Sequence, residues 1–133
     1  MQPRIKQMLK RLAIENPGIK AASGARFKMA AGIVYKKQLI ATGVNKAKSH
    51  PMMHPKNGFK KGQIFLHAEM DAIKNALKLI TQEELAKCDI YVVRVKRPES
   101  RSSEWIEGMA KPCSGCSQVI ANFEIKNIHY TTE

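Results

Sequence analysis

The second half of this 133-residue chain changes its hydrophobic period repeatedly, and that alternation limits its fold more than any other feature. Residues 66–80 place Ala68, Ala72, Ala76, Leu77 and Ile80 at helical spacing, a stripe of small and medium side chains. Thr81-Gln82-Glu83-Glu84 reads as a capping box that starts one more short turn of helix. Residues 89–95 are rich in β-branched side chains and read as a strand. Helical spacing returns over 114–123, with Val119, Ile120 and Phe123 inward, and 126–131 reads as a final strand. Strands separated by a helix of this length pair in parallel, with the helix packed back on the sheet. The spacing therefore predicts an α/β fold.

The first half supplies the remaining elements. Pro3–Glu15 is an amphipathic helix, with Ile5, Met8, Leu9 and Leu12 on one face and Asn16-Pro17-Gly18 as its stop. A Ser/Gly/Ala connector over 21–25 leads into two strands, Arg26–Tyr35 and 38–45, which form a hairpin. Its turn, Lys36-Lys37, lacks the Asn-Gly signal of a tight two-residue loop. Residues 46–62 form a polar loop with five lysines, two histidines and no acid. Residues 97–110 form another, which holds the only tryptophan, Trp105. No repeat or linker divides the chain, so one domain over 1–133 is expected.

Composition narrows the setting. Hydrophobic content of 44% suits a globular protein, and no apolar stretch approaches the roughly 18–20 residues of a membrane span. The basic N-terminal segment has no apolar run after it, unlike a secretory signal. Three cysteines, an odd count, suggest reduced thiols or metal ligands and a cytoplasmic setting. Net charge is +12 and unevenly placed: 14 Lys and Arg stand against one acid up to residue 62, and 9 against 10 beyond it. A phosphate-bearing partner, nucleotide or polynucleotide, is one reading, and a plain solvated basic surface is the other.

Two short strings carry the chemistry: His67-Ala68-Glu69 and Pro112-Cys113-Ser114-Gly115-Cys116. Cys113 and Cys116 have the spacing that lets two thiolates reach one ion. They open a predicted helix, where the dipole and unpaired N–H groups favour thiolate. His67 opens another. If the two helix starts converge, the three side chains make a metal site with a fourth position left for water, the pattern of catalytic rather than structural zinc. Taken singly, each string has a plainer reading. The Cys pair could be half a zinc ribbon or a redox dithiol, His67 a polar cap, and Glu69 a first-turn acid favouring the helix dipole. Taken together they point to Zn2+ held by His67, Cys113 and Cys116. Two thiolates offset the ion's charge and leave bound water less acidic, so Glu69 is useful as a general base.

This pair of strings resembles the zinc-dependent cytidine/deoxycytidylate deaminase superfamily. The resemblance spans roughly residues 27–131 by element order and implies a three-layer αβα sandwich with a mixed β-sheet. It implies attack of zinc-activated hydroxide at C4 of cytosine, or C6 of adenine, with loss of ammonia. Carried onto this sequence, His67, Cys113 and Cys116 hold zinc and Glu69 shuttles protons. Asn45, in Gly43-Val44-Asn45, faces the substrate sugar, and Ala68 offers its backbone N–H to the base. The chain departs from the pattern twice. The gap from Glu69 to Cys113 is longer, through the 97–110 loop. The chain also looks shortened at its C-terminus, without a last helix and strand, which leaves an edge suited to a homo-oligomer.

The basic 46–62 loop should rim the pocket, so Lys60 and Lys61, with Lys46, Lys48, His50 and Lys56, are candidates for substrate phosphate. The leading expectation is a deaminase of a cytosine nucleoside or nucleotide, with deoxycytidylate first. A deaminase of cytosine or adenine within single-stranded DNA or RNA is the alternative in the same chemistry, since the charge suits several phosphates together. A zinc-stabilised nucleic-acid-binding module without turnover is the alternative from another class. Aromatic side chains for base stacking are sparse. Phe65 is expected in the core, and Trp105 over the pocket or over the core beneath its loop. Cys88 is expected as a small core residue, and His129 as an imidazole without an assigned role.

Overall fold

The computed structural model describes residues 1–16, 19–20, 26–46, 67–97 and 104–132. Helix α1 (Pro3–Glu15) opens on a proline, whose missing N–H loses nothing in a first turn, and buries Ile5, Leu9 and Ala13 at four-residue spacing. Strand β1 (Ile19–Lys20) pairs with the start of β2 (Arg26–Tyr35). A two-residue turn joins β2 to β3 (Gln38–Val44). Helix α2 (Ala68–Ala76) is followed by the one-turn α3 (Gln82–Leu85), whose Thr81/Glu84 capping box forms in full. Then come β4 (Asp89–Lys96), β5 (Ile106–Gly108), α4 (Ser114–Asn122) and β6 (Asn127–Tyr130).

The sheet is mixed. β2 pairs antiparallel with β3 along one edge and with β4 along the other. The far edge of β4 is shared end to end: β6 runs parallel to residues 89–92, and β5 antiparallel to 94–96. The parallel β4–β6 pair, joined through α4, is the one the period alternation predicts. Thr131 pins the junction. Its N–H donates to the Val92 carbonyl, its hydroxyl donates to the Gly108 carbonyl at 2.7 Å, and the same hydroxyl accepts the Arg94 N–H.

Strand alternation divides the apolar side chains between two faces. One core sets Ile5, Leu9 and Ala13 of α1 against Ala30, Val34, Tyr91, Val93 and Val95. The other sets α2 and α4 against Ala31, Ile33, Ala41, Ile90 and Val92. Helices thus cover both faces, giving α/β/α layers. In β3 the alternation slips. Leu39 packs towards α1, yet both Ile40 and Ala41 pack towards α2. A bulge opposite Ile33 and Val34 absorbs the extra residue.

Three elements differ from the sequence reading. The helix expected over 66–80 begins at Ala68 and ends at Ala76, after which Leu77–Ile80 continue as turns. The 97–110 segment, read as loop, contains β5, and β1 precedes the connector. β5 has only three residues and no alternation to betray it. It forms because β4 runs past the end of β6 and leaves ladder groups to satisfy. It is also tied to α1, where Glu107 lies 2.7 Å from Lys6 and 3.9 Å from Lys10. Trp105 packs with the α1-side core, between the cations of Lys28 and Arg97, each 4.6 Å from its ring. Of its two expected places, Trp105 therefore takes the core beneath its loop. Among the described residues no helix is long and apolar enough to cross a membrane.

Candidate metal centre

His67 and Cys113 are both helix N-caps. Each has extended backbone, φ −71° and ψ 149° for His67 and φ −65° and ψ 171° for Cys113, so each side chain leaves the helix face. This is why His67 and Glu69, only two residues apart, can serve one place. Cys116, one turn into α4, is buried and faces the same point. The Cys113 sulfur accepts the Cys116 N–H as a cap, at 3.4 Å.

The three candidate ligands converge. The His67 Nδ1 lies 3.1 Å from the Cys116 Sγ and 3.6 Å from the Cys113 Sγ, and all three ligand atoms fall within 4.8 Å of one another. Tetrahedral zinc bonds of about 2.0–2.3 Å put neighbouring donors about 3.3–3.8 Å apart. The donor set therefore fits zinc in kind and in spacing, with Nδ1 as the imidazole ligand atom. Both helix N-termini also aim their positive ends at the two sulfurs, which suits thiolate.

The titrating groups are coupled through this contact. Hydrogen bonding from the Cys116 thiol, against some burial and with further help from His67, brings Cys113 down to about 4. The same contact and its own burial push Cys116 up. Glu69 is buried, 3% exposed. Burial raises its pKa above the usual carboxylate value, against the lowering effects of a backbone N–H and His67. A buried carboxyl beside a metal donor set is equipped to carry a proton rather than to hold a charge.

Helix α2 is fixed to the end of β3 by contacts that no motif announces. Asp71, 1% exposed, accepts the Val44 N–H at 3.0 Å and sits 3.1 Å from Lys46 and 3.0 Å from Lys74. Burial alone would raise its pKa, but the Val44 amide and the two ammonium groups outweigh it and hold Asp71 below the ordinary value. The Asn75 amide donates to the Thr42 carbonyl at 2.8 Å. Gly43 lets the strand touch the helix: a Cβ there would lie 2.2 Å from the Ala72 nitrogen. An isolated glycine in a strand, and an acid on the alanine stripe, were the available signals.

The expected substrate contacts are placed as follows. Ala68 is the first residue of α2, fully buried, with an N-terminal amide of the kind that has no partner within its helix. Asn45 is 3% exposed, and its Oδ1 accepts from the Asn16 amide at 2.7 Å and from the Met29 N–H at 3.1 Å. It thereby ties the ends of α1, β2 and β3 together. Lys60 and Lys61 lie outside the described residues, as do Lys48, His50, Lys56 and Phe65. Lys46 is engaged by Asp71. Cys88 is fully buried, as expected, and burial pushes its thiol up to about 11. His129 bonds to Asp89 at 3.1 Å and meets the Tyr91 ring edge-on.

Comparison with known proteins bears on the family and the fold. The family model described as the cytidine and deoxycytidylate deaminase zinc-binding region matches residues 4–132. No curated protein matches the chain in sequence. Among solved structures, the apo dCMP deaminase of the cyanophage S-TIM5 is 22% identical, with TM-score 0.55, over 100% of this chain and 86% of that one. The same enzyme in complex with dCMP and dUMP gives 20% identity and TM-score 0.57, over 98% of this chain and 82% of that one. RibD of Acinetobacter baumannii, 19% identical with TM-score 0.51, matches 97% of this chain over 27% of its own. At such identities the likeness is one of fold.

Proposed function

The chain belongs to the cytidine and deoxycytidylate deaminase zinc-binding family, and from that premise we propose that it is a hydrolase acting on a cyclic amidine, converting the cytosine of deoxycytidylate to uracil. One observation carries the reading: a buried carboxyl, Glu69, stands beside a convergent His67–Cys113–Cys116 donor set at two helix N-termini. When bound there, zinc supplies Lewis acidity that brings the pKa of water towards about 7.

The chain's own residues supply the rest. His67, through Nδ1, and the sulfurs of Cys113 and Cys116 hold the ion. Glu69 takes a proton from the water that adds to C4 and delivers it to N3, then passes the remaining hydroxyl proton to the C4 amino group, which leaves as ammonia. Water and cytosine thus give uracil and ammonia, with the carboxyl returned to its starting state. Burial of Glu69 shields that proton from bulk solvent. The Ala68 N–H is assigned to the base and Asn45 to the sugar end, while Lys60 and Lys61 are assigned to the phosphate. The solved cyanophage relative in complex with dCMP and dUMP supports a nucleotide of this class.

A second reading, cytosine or adenine within a single strand, is favoured by the +12 charge, more than one phosphate needs. One experiment separates the two. Zinc-loaded protein is incubated with deoxycytidine, deoxycytidylate and a single-stranded oligonucleotide containing cytosine and adenine, and products are read by mass. Deoxycytidylate is expected to react fastest. Glu69→Gln should keep its zinc and lose about 10²–10⁴-fold in rate, the usual worth of a positioned acid–base group. Reaction of the oligonucleotide alone would move the substrate to nucleic acid. Zinc-loaded protein that converts none of them, yet retains nucleic acid, would overturn deamination itself.

A further inference from the structure

The metal centre lies at the helix N-termini. At the opposite end of the sheet is a concavity of about 530 Å3, built where β4 and β6 begin and β2 turns into β3. Helix α4 separates the two places, and its nine residues span about 13 Å. Four lysines line the far concavity: Lys36 and Lys37 from the turn, Lys87 before β4, and Lys126 before β6. All four are exposed, and none has a carboxylate partner among the described residues. The one acid present, Asp89, is already used. Its Oδ1 accepts from the Asn127 amide at 3.1 Å, and its Oδ2 lies 3.1 Å from the His129 Nε2. Tyr91 is committed too, its hydroxyl accepting the Gln2 N–H at 3.2 Å.

The backbone gives an independent sign. Lys36 and Lys37 both have positive φ, 49° and 66°. A two-residue hairpin loop of that kind favours Asn-Gly, because lysine is strained in the left-handed region. Here two lysines occupy both positions and line the same concavity as Lys87 and Lys126, with the Lys36 ammonium 5.2 Å from the Tyr35 ring. The hairpin imposes this geometry on whatever residues stand there, and strained positions of this kind are enriched at ligand sites.

We propose that this pocket is an anion site, separate from the metal centre, that binds a group of two or more linked phosphates. Four lysines around one concavity offer more positive charge than a single phosphate needs. The volume lies within the range of small-ligand pockets. The linked phosphates can come from a free polyphosphate-bearing molecule or from successive positions of a nucleic-acid strand. The site does not depend on the deamination reading.

Calorimetric titration of the zinc-loaded protein with inorganic tripolyphosphate and with orthophosphate tests it, with zinc content checked afterwards. Tripolyphosphate should bind at least tenfold tighter than orthophosphate. Two double variants remove the cations in pairs, Lys36→Asn with Lys37→Gly, and Lys87→Gln with Lys126→Gln. Each should weaken tripolyphosphate at least tenfold and leave zinc content unchanged. The first pair relieves the turn, so its loss of binding cannot come from a damaged fold. Lys78→Gln, an exposed lysine outside the pocket, is the control. A single-stranded oligonucleotide that competes with tripolyphosphate, and weakens with it in both variants, assigns the phosphates to a strand; failure to compete assigns them to a free molecule. Wild-type affinity in both double variants, or no preference for linked phosphates, overturns the proposal.

Discussion

Gly43→Ala tests whether the candidate metal centre is held by the end of β3. The added Cβ would lie 2.2 Å from the Ala72 nitrogen, 2.6 Å from the Ala68 oxygen and 2.7 Å from the Asp71 carbonyl carbon. All three are backbone atoms of the first turns of α2, so no rotamer change relieves the overlap. Ordinary contact requires α2 to retreat by about 1.2 Å. Overpacking of this sort costs about 1–3 kcal/mol. The retreat also stretches the Val44–Asp71 and Thr42–Asn75 hydrogen bonds, now 3.0 and 2.8 Å. Leaving such groups half-satisfied adds about 1–3 kcal/mol. A total loss of about 2–6 kcal/mol is a large part of the 5–15 kcal/mol typical of a domain.

The site should register the same shift. His67 caps α2 while Cys113 and Cys116 ride on α4, so moving α2 alone changes the His67–sulfur distances of 3.1 and 3.6 Å. Metal sites tolerate about 0.2 Å, and loss of a supporting contact weakens binding about 10–100-fold. Gly32→Ala is the matched control. Its Cβ would meet Leu39 Cδ1 at 2.5 Å and the Leu9 methyls at 3.2 Å, flexible tips on the α1 face. Urea denaturation of the metal-free proteins gives the stability loss, and competition with a chromophoric chelator gives zinc affinity. Gly43→Ala should lose both, and Gly32→Ala about 1–2 kcal/mol of stability with unchanged zinc affinity. Equal behaviour of the two variants would refute the coupling of β3 to the site.

Three further outcomes follow from single residues. Asp71→Asn removes a buried carboxylate whose pKa is held low, so its contribution is present above the ordinary carboxylate range and fades as pH falls through its lowered value. The variant should lose about 3–5 kcal/mol at pH 7, with thermal melts of the two proteins drawing together below about pH 4. Lys36→Asn with Lys37→Gly should stabilise the hairpin by about 1 kcal/mol, read as a Tm rise of about 4 °C, since both positions are left-handed. In metal-free protein, iodoacetamide at pH 6 should modify Cys113, whose pKa is about 4, and spare Cys88, held at about 11. Zinc should protect Cys113, and mass mapping of the labelled peptides reads both effects.

The candidate donor set was legible because metal chemistry restricts residue type and because His67 and Cys113 are both N-caps. A histidine or cysteine immediately before a helical period is visible in one dimension. The parallel β4–β6 pair was legible for a similar reason, since a strand, a helix and a strand of these lengths close in few ways. What stayed hidden depends on partners far along the chain. β5 owes its existence to the ladder groups of residues 94–96 and to Lys6 and Lys10. The role of Asn45 within the fold depends on Asn16, at the end of α1.

Charge shows how a count can mislead without geometry. The surplus before residue 62 invites every lysine there into one phosphate-binding rim. Among the described residues much of that surplus is spent inside the molecule. Lys46 holds Asp71, Lys6 and Lys10 hold Glu107, and Lys28 lies over Trp105 while donating to the Ile14 carbonyl. These cations fasten α1, β3 and β5 to the sheet, and removing them should cost stability before it costs affinity. Lys36 and Lys37 differ in that both hold positive φ, have no acidic partner among the described residues and line one cavity with Lys87 and Lys126, although the Lys36 ammonium also lies 5.2 Å from the Tyr35 ring. Substitutions that separate those two groups should therefore divide cleanly into losses of folding and losses of anion binding, a division that the net charge of +12 conceals.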